Sequence, residues 1–414
     1  MPIRCFAVLG ALALAACGSS TEPKGPPAQL TALPRELSAD EIRVSRAANQ
    51  FAFTLFRRLN EAQPNDNVFV SPLSVTFSLG MTMNGAAGTT LDEMRSTLGF
   101  GTEELNAINA GYRDLMSLES GLDPSTTFQI ANSVWYRQTF PFHQAFMDTV
   151  KKTFDAEVRG APFDQSTVTQ VNDWVSAKTN DKIQTILDGI APDHVMFLID
   201  AIYFKGSWRE QFDPAKTRDA PFAALDGTQQ VKTMRRADGT GKIRYGGTAT
   251  ATVGELSYGN GAFVMTIVMP HTGAGGGGDV NAFAATLDTT AWTSLVAPMA
   301  EADYAVSLPK FRLSYERELK DDLIALGMRV PFVEGGADFT RMSPAGRDLF
   351  IAFVKHKTFV DVNEEGTEAA AVTNTGVGFD SAPPCLCVDR PFIFAIRERF
   401  SGTILFIGKI VRIP

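Results

Sequence analysis

EEGTEAAAVTNTGVGFDSAPP, residues 364–384, separates two runs of strong strand character, HKTFVDVN (356–363) and VDRPFIFAIRERF (388–400). A connection this long without structure of its own is usually functional or disordered. This one carries a second pattern when it is read with a period of two. Thr367, Ala369, Ala371, Thr373, Thr375 and Val377 fall on one side, and Glu368, Ala370, Val372, Asn374, Gly376 and Gly378 on the other. The first set holds no charge, no proline and nothing larger than valine, so an extended form fits against a core. The segment reads as a loop able to become a strand.

The surrounding chain has 414 residues, of which 44% are hydrophobic and 20% charged. That is ample material for a large core. The net charge is -8 and no run of Lys or Arg exceeds a pair, which gives no support to a nucleic-acid partner or a heparin-like polyanion site.

The first residues, MPIRCFAVLGALALAACGSS, place Arg4 before an apolar run that ends in small residues and Cys17. This is an export signal, too short to span a bilayer. Leu14-Ala15-Ala16-Cys17 is similar to the bacterial lipoprotein signal, in which cleavage precedes a cysteine that then carries lipid. Residues 1–16 are accordingly read as the signal and Cys17 as the lipidation site. Residues 17–37 are then a Gly/Pro/Ser-rich flexible tether. The alternative is an ordinary secretory signal with Cys17 incidental. Of the remaining cysteines, Cys5 leaves with the signal. Cys385 and Cys387 lie one residue apart on one strand face, a spacing that rarely meets disulfide geometry, and they read as two small half-buried residues. An intermolecular bridge in an oxidising compartment is the alternative.

Residues 38–414 show no linker or repeat and form a single domain. Ser38 and Glu41 make a capping box, followed by Ala48, Phe51, Leu55 and Leu59 at helical spacing. Further helical patterns cover 73–86, 91–98, 103–119, 143–152 and 167–188. Strand-like runs are FQIANSVWYR (128–137), HVMFLIDAIYF (194–204), ATVGELSY (251–258), AFVMTIVMP (262–270), FIAFVKHKTFVDVN (350–363), PFIFAIRE (391–398) and TILFIGKIVRIP (403–414). Helices dominate the first half and strands the second, which indicates an α+β fold. The Gly-rich TGAGGGGD (272–279) lacks the Lys-Ser/Thr ending of a phosphate loop and reads as a surface connection.

No catalytic arrangement stands out. There is no G-x-S-x-G, H-E-x-x-H or C-x-x-C, and His143, His194, His271 and His356 lie singly in unrelated contexts. The sequence offers no enzyme, no metal set and no cofactor.

NVFVSPLSVTFSLGMTMNGAAGTT, VNDWVSAKTNDKI, FLIDAIYFKGSW, FDPAKT, LPKF, VDVNEEGTEAAA, DRPFIFAI and ILFIGKIVRIP occur in this order, and together they resemble the serpins, the serine protease inhibitor family, across 38–414. The resemblance implies three β-sheets, eight or nine helices and an exposed reactive-centre loop at 364–384. It implies suicide inhibition of serine, and by extension cysteine, endopeptidases: the protease cleaves the loop, and the loop inserts into the central sheet and traps the acyl-enzyme. The hinge is then Glu364, Glu365, Gly366, Thr367, Glu368, Ala369, Ala370 and Ala371. Ser71, Pro72, Ser74 and His356 match the shutter beneath the opening strands. Trp208, Lys310 and Glu364 match the breach where insertion begins. Asp200 stands where most of the family has asparagine beside the shutter histidine, and an ion pair with His356 is expected if the two meet.

Loop length between the hinge glycine and Pro391 places the reactive bond between Asp380 and Ser381, implying an Asp-selective protease. A shift of one residue makes Phe379 the recognised side chain and points to chymotrypsin- or subtilisin-like targets, while cleavage after Val377 suits an elastase. The implied partners are such an endopeptidase and, through the lipid, a membrane. A monomer is expected, held in the bacterial cell envelope (the outer membrane, from Gly18 after the cysteine) or extracellular. The alternative is a non-inhibitory relative serving as a binding or chaperone-like surface lipoprotein.

Overall fold

The structure is a computed structural model that describes residues 27–236, 242–271, 279–367 and 385–414. The signal, Cys17, Glu368, Ala369, Ala370, Ala371 and the bond at Phe379, Asp380 and Ser381 lie outside the described residues, as does most of the Gly-rich run.

The chain enters through the capping box. Ser38 Oγ accepts from Glu41 N–H while the Glu41 carboxylate accepts from Ser38 N–H, and the helix Ala39–Ala62 follows. Its Val44, Phe51, Leu55 and Leu59 are fully or nearly fully buried, as their shared helical face requires. Nine α-helices occur among the described residues, with two short 3₁₀ turns.

The strands form three sheets of seven, six and four strands. In the seven-stranded sheet the strands Phe392–Glu398 and Ile404–Ile410 are buried at every position. They pair antiparallel with each other, and the first pairs also with Phe263–Pro270. Two-sided burial explains why these runs are continuously apolar rather than alternating. In the six-stranded sheet, Lys355–Val362 alternates between half-buried and buried positions, the mark of a strand with one face on the core.

Four details depart from the sequence expectations. The helical pattern at 167–188 is a helix only over Gln165–Lys178. Asn180 (φ 51°) and Asp181 (φ 61°) take left-handed backbone that ends it. Ile183, Ile186 and Leu187 keep an apolar spacing beyond that point because they pack on the core as irregular chain. The strand expected from residue 350 begins only at Lys355.

The tether is not free over its described part. Leu30 N–H donates to Asn260 O (2.8 Å), Arg209 donates to Pro27 O (2.8 Å), and Leu30 and Leu33 pack against the core.

Cys385 and Cys387 form a disulfide with each other, contrary to the reading of two small half-buried residues. Their Cα atoms are 5.2 Å apart, inside the bridgeable range, because the short strand Cys385–Cys387 is contracted below the roughly 6.6 Å of two extended residues. Leu386 between them is fully buried.

Candidate functional site: the breach, the hinge and the shutter

Two neighbouring strands of the six-stranded sheet, Lys355–Val362 and Met196–Ser207, are joined only at one end. There the two-residue strand Gly366–Thr367 pairs Thr367 with Val362 on one side, and Gly366 with Ser207 and Thr367 with Gly206 on the other. The described residues of the two long strands make no ladder with each other. At this end the two long strands therefore stand one strand apart with the head of the loop seated between them, and below it no ladder among the described residues closes the slot.

Glycine is required at this entry. A Cβ on Gly366 would lie 2.1 Å from Gly206 O, and one on Gly206 would lie 2.8 Å from the Tyr258 ring. Both contacts are far inside van der Waals range. Thr367 is 4% exposed, and its hydroxyl meets the Tyr258 hydroxyl at 2.9 Å. Its inward orientation is the one expected from the period-two reading.

The breach residues converge as the resemblance implies. Lys310 Nζ lies 2.7 Å from the Glu364 carboxylate. The Thr217 hydroxyl donates to the same carboxylate at 2.7 Å. Burial pushes the Glu364 pKa up, but Lys310 and Thr217 outweigh it and hold the carboxyl below its ordinary value. Lys310 is well exposed at 38%, so the ion pair contributes only about 0–1 kcal/mol. Burial and the charge of Glu364 raise the neighbouring Glu365.

Trp208 is buried and stacks on Tyr258 at 4.5 Å. Its indole N–H donates to Asn363 O (2.9 Å), its backbone N–H to Glu365 O (2.7 Å), and Phe212 N–H to Glu364 O (2.8 Å). The segment 208–212 thus fixes the three residues before the inserted pair through their own carbonyls.

The shutter lies lower in the slot. Ser71 caps the helix Pro72–Met83, accepting from Ser74 N–H at 3.2 Å and donating to Leu405 O at 2.8 Å. Its N–H donates to His356 Nε2 at 3.1 Å. His356 is buried, and burial lowers its pKa to about 4, so the ring is neutral and acts as an acceptor. Asp200 does not pair with it. Both Asp200 carboxyl oxygens are buried without a hydrogen-bond partner among the described residues. Burial pushes the Asp200 pKa well above the ordinary value; the Ser74 hydroxyl stands near enough to oppose this in part, though not in hydrogen-bonding geometry. The expected ion pair is replaced by two groups that burial drives to neutrality from opposite directions. Ser74, Asp200 and His356 line a common cavity of about 180 Å³ under the slot.

Sequence reasoning missed Tyr258 and Thr217. Thr217 lies in FDPAKT, one of the matching segments, so its position was marked but its role was not. Tyr258 closes an ordinary strand run and gave no signal. Among the described residues no group of His, Cys, Asp and Glu could hold a metal ion.

Comparison with known proteins agrees with this geometry. The sequence profile described as serpin (serine protease inhibitor) matches residues 46–413. Human serpin B9 is 33% identical over 377 residues, covering 88% of this chain and 98% of that protein. The leukocyte elastase inhibitor of Equus caballus is 33% identical over 385 residues, covering 89% and 98%. The crystal structure of the thermophilic serpin tengpin in its native state superposes with a TM-score of 0.80 at 29% identity, covering 92% of this chain and 96% of that one. The chain belongs to the serpin family, the serine protease inhibitors.

Proposed function

We propose that this serpin is a covalent suicide inhibitor of an extracytoplasmic endopeptidase, with the segment 364–384 as its bait. The observation that carries the reading is the seated pair Gly366–Thr367 at the head of an open slot. Cleavage beyond it frees a segment whose inward positions to Val377 are small and uncharged. Its insertion completes ladders on both sides, and no buried ion or missing N–H opposes it.

The reactive bond is Asp380–Ser381, with Phe379 as the alternative recognised residue. The target is accordingly an Asp-selective protease, or a chymotrypsin- or subtilisin-like one. The Leu-Ala-Ala-Cys ending of the signal supports lipidation at Cys17 and anchoring to the bacterial envelope.

The experiment is to mix the mature protein, without lipid, with chymotrypsin, subtilisin, elastase, granzyme B and an acid-specific endopeptidase. Products are resolved on denaturing gels and the released C-terminal peptide is weighed. A complex that survives denaturation and a peptide beginning at Ser381 are the expected results, and a start at Asp380 selects Phe379. Loop cleavage without complex by every protease, and without a gain in thermal stability, instead favours the non-inhibitory binding protein.

A further inference from the structure

Arg236 ends the strand Gly227–Arg236 and is 7% exposed. Its Nη1 donates to Glu210 O at 2.9 Å, and its guanidinium lies 5.8 Å from the Phe212 ring centroid. Nε and Nη2 are buried and have no hydrogen-bond partner among the described residues. These two nitrogens share one edge of the guanidinium plane, the edge that holds a carboxylate or phosphoryl group side-on. Acids fill the same edge elsewhere in this chain. Arg312 Nε and Nη2 both reach Asp361 Oδ2, at 3.0 and 2.6 Å. Arg317 Nε and Nη2 reach the two oxygens of Asp322, at 2.9 and 3.2 Å. Among the described residues no acid reaches the equivalent edge of Arg236, and a buried cation without a hydrogen-bonded partner is unfavourable.

Arg236 lines a cavity of about 220 Å³, room for a phosphate or a small organic acid with some of its water. Arg209, Lys242, Arg244 and Arg399 share the wall with the carboxylates Glu210 and Glu301, and Asp303, paired across the ladder from Lys242, also acts on Arg236 by its charge. Arg244 is engaged by Glu255 at 2.8 Å, and Arg399 stands 3.6 Å from Glu301. The wall thus carries an excess of positive charge. Buried Trp208 and Leu256 close the inner side, and exposed Lys242 stands at the mouth.

We propose that this cavity binds a small oxyanion, a compound with a carboxylate or phosphoryl group seated side-on against Nε and Nη2 of Arg236, with Arg399 and Lys242 drawing its outer part. The segment 208–212, which fixes residues 363–365, is one wall of the cavity. Occupancy of the cavity therefore stiffens the breach. The site does not depend on whether the loop traps a protease.

The test titrates the mature, unlipidated protein with inorganic phosphate and, separately, with citrate. Ionic strength is held constant with sodium chloride. Calorimetry and tryptophan fluorescence are read together, and Trp208→Phe identifies the reporting ring. Saturable one-to-one binding of at least one anion is expected, with Trp208 responding and the melting temperature rising by about 2 °C or more at saturation. Phosphate alone identifies a phosphoryl ligand and citrate alone a carboxylate. Arg236→Gln and Arg236→Lys should each weaken binding at least tenfold, because both lose the fork and the second keeps the charge. If Arg236→Gln fails to fold, Arg399→Gln serves instead, with an expected loss of at least threefold for citrate. Absence of saturable binding to either anion overturns the proposal, as does equal affinity in the wild type and Arg236→Lys. Asp238, two residues on and outside the described residues, is the chain's own competitor. Binding seen only in Asp238→Asn would mean that the chain fills its own fork, and this too overturns the proposal.

Discussion

The Tyr258 hydroxyl lies 2.9 Å from the hydroxyl of Thr367, although the two residues are 109 positions apart. This contact joins the core under the breach to the second residue of the inserted pair. Its removal isolates one polar contact from the packing around it. Tyr258→Phe keeps the stacking on Trp208 and leaves a buried threonine hydroxyl unpaired, at a cost of about 1 kcal/mol. The expected result is a fall in melting temperature of about 1–3 °C, measured by calorimetry. An unchanged melting temperature would mean that the two hydroxyls do not bond.

Thr367→Arg places a cation where the wild-type residue is 4% exposed between two strands. Burying an unpaired charge opposes insertion, but the bait beyond it is untouched. Proteases that cleave the wild type should cleave the variant, with covalent complex reduced at least tenfold in favour of free cleaved serpin. Band densities on a denaturing gel read this partition directly.

The shutter predicts an unusual dependence on pH. The folded pKa of Asp200 is raised, so the folded chain holds this proton more tightly than the unfolded chain. Its contribution is therefore most favourable in acid, and it is lost as pH rises above the ordinary carboxyl value toward the folded one. His356 works in the opposite sense. Its folded pKa is lowered to about 4, so stability is lost as pH falls from about 6.5 toward 4. Asp200→Asn should raise the denaturation midpoint at pH 7.5, and the gain should shrink as pH approaches 4.5. Midpoints across that range that run parallel in the two proteins would contradict neutralisation by burial.

The disulfide predicts that alkylation of the denatured, unreduced protein labels neither Cys385 nor Cys387, whereas prior reduction exposes two thiols. A ring this small restricts the unfolded chain only slightly. Cys385→Ser with Cys387→Ser should therefore cost no more than about 1.5 kcal/mol, read from the denaturant midpoint.

Much of the site was legible because its constraints are local or geometric. The capping box at Ser38 and Glu41 needs only four residues. The inward orientation of Thr367 needs only a period of two. Lys310 and Glu364 were found through matching segments, and the structure brings them to 2.7 Å. What escaped depends on partners distant in the chain. The hairpin Arg218–Ala224 and Gly227–Arg236 was missed because its outer face is polar and only Ala220, Phe222, Val231, Thr233, Met234 and Arg236 are buried. Asp200 looked like a partner for His356, but sequence cannot say that the two share a cavity wall without touching. The Cys385–Cys387 bridge depended on a local contraction of the strand that an ideal extended geometry does not contain.

The two fully buried strands that follow the loop have a consequence for a spent molecule. A cut anywhere in 368–384 leaves Phe392–Glu398 and Ile404–Ile410 in the interior of the seven-stranded sheet, paired with each other, with Phe263–Pro270 on one side and with Val68–Val70 on the other. The nicked protein is therefore a tightly held heterodimer of its own fragments. It should co-elute with the intact chain in gel filtration, and only a denaturant should release the small piece. Whatever clears the cleaved serpin that has escaped complex formation has to recognise a change of shape, because its mass and hydrodynamic size will scarcely have altered.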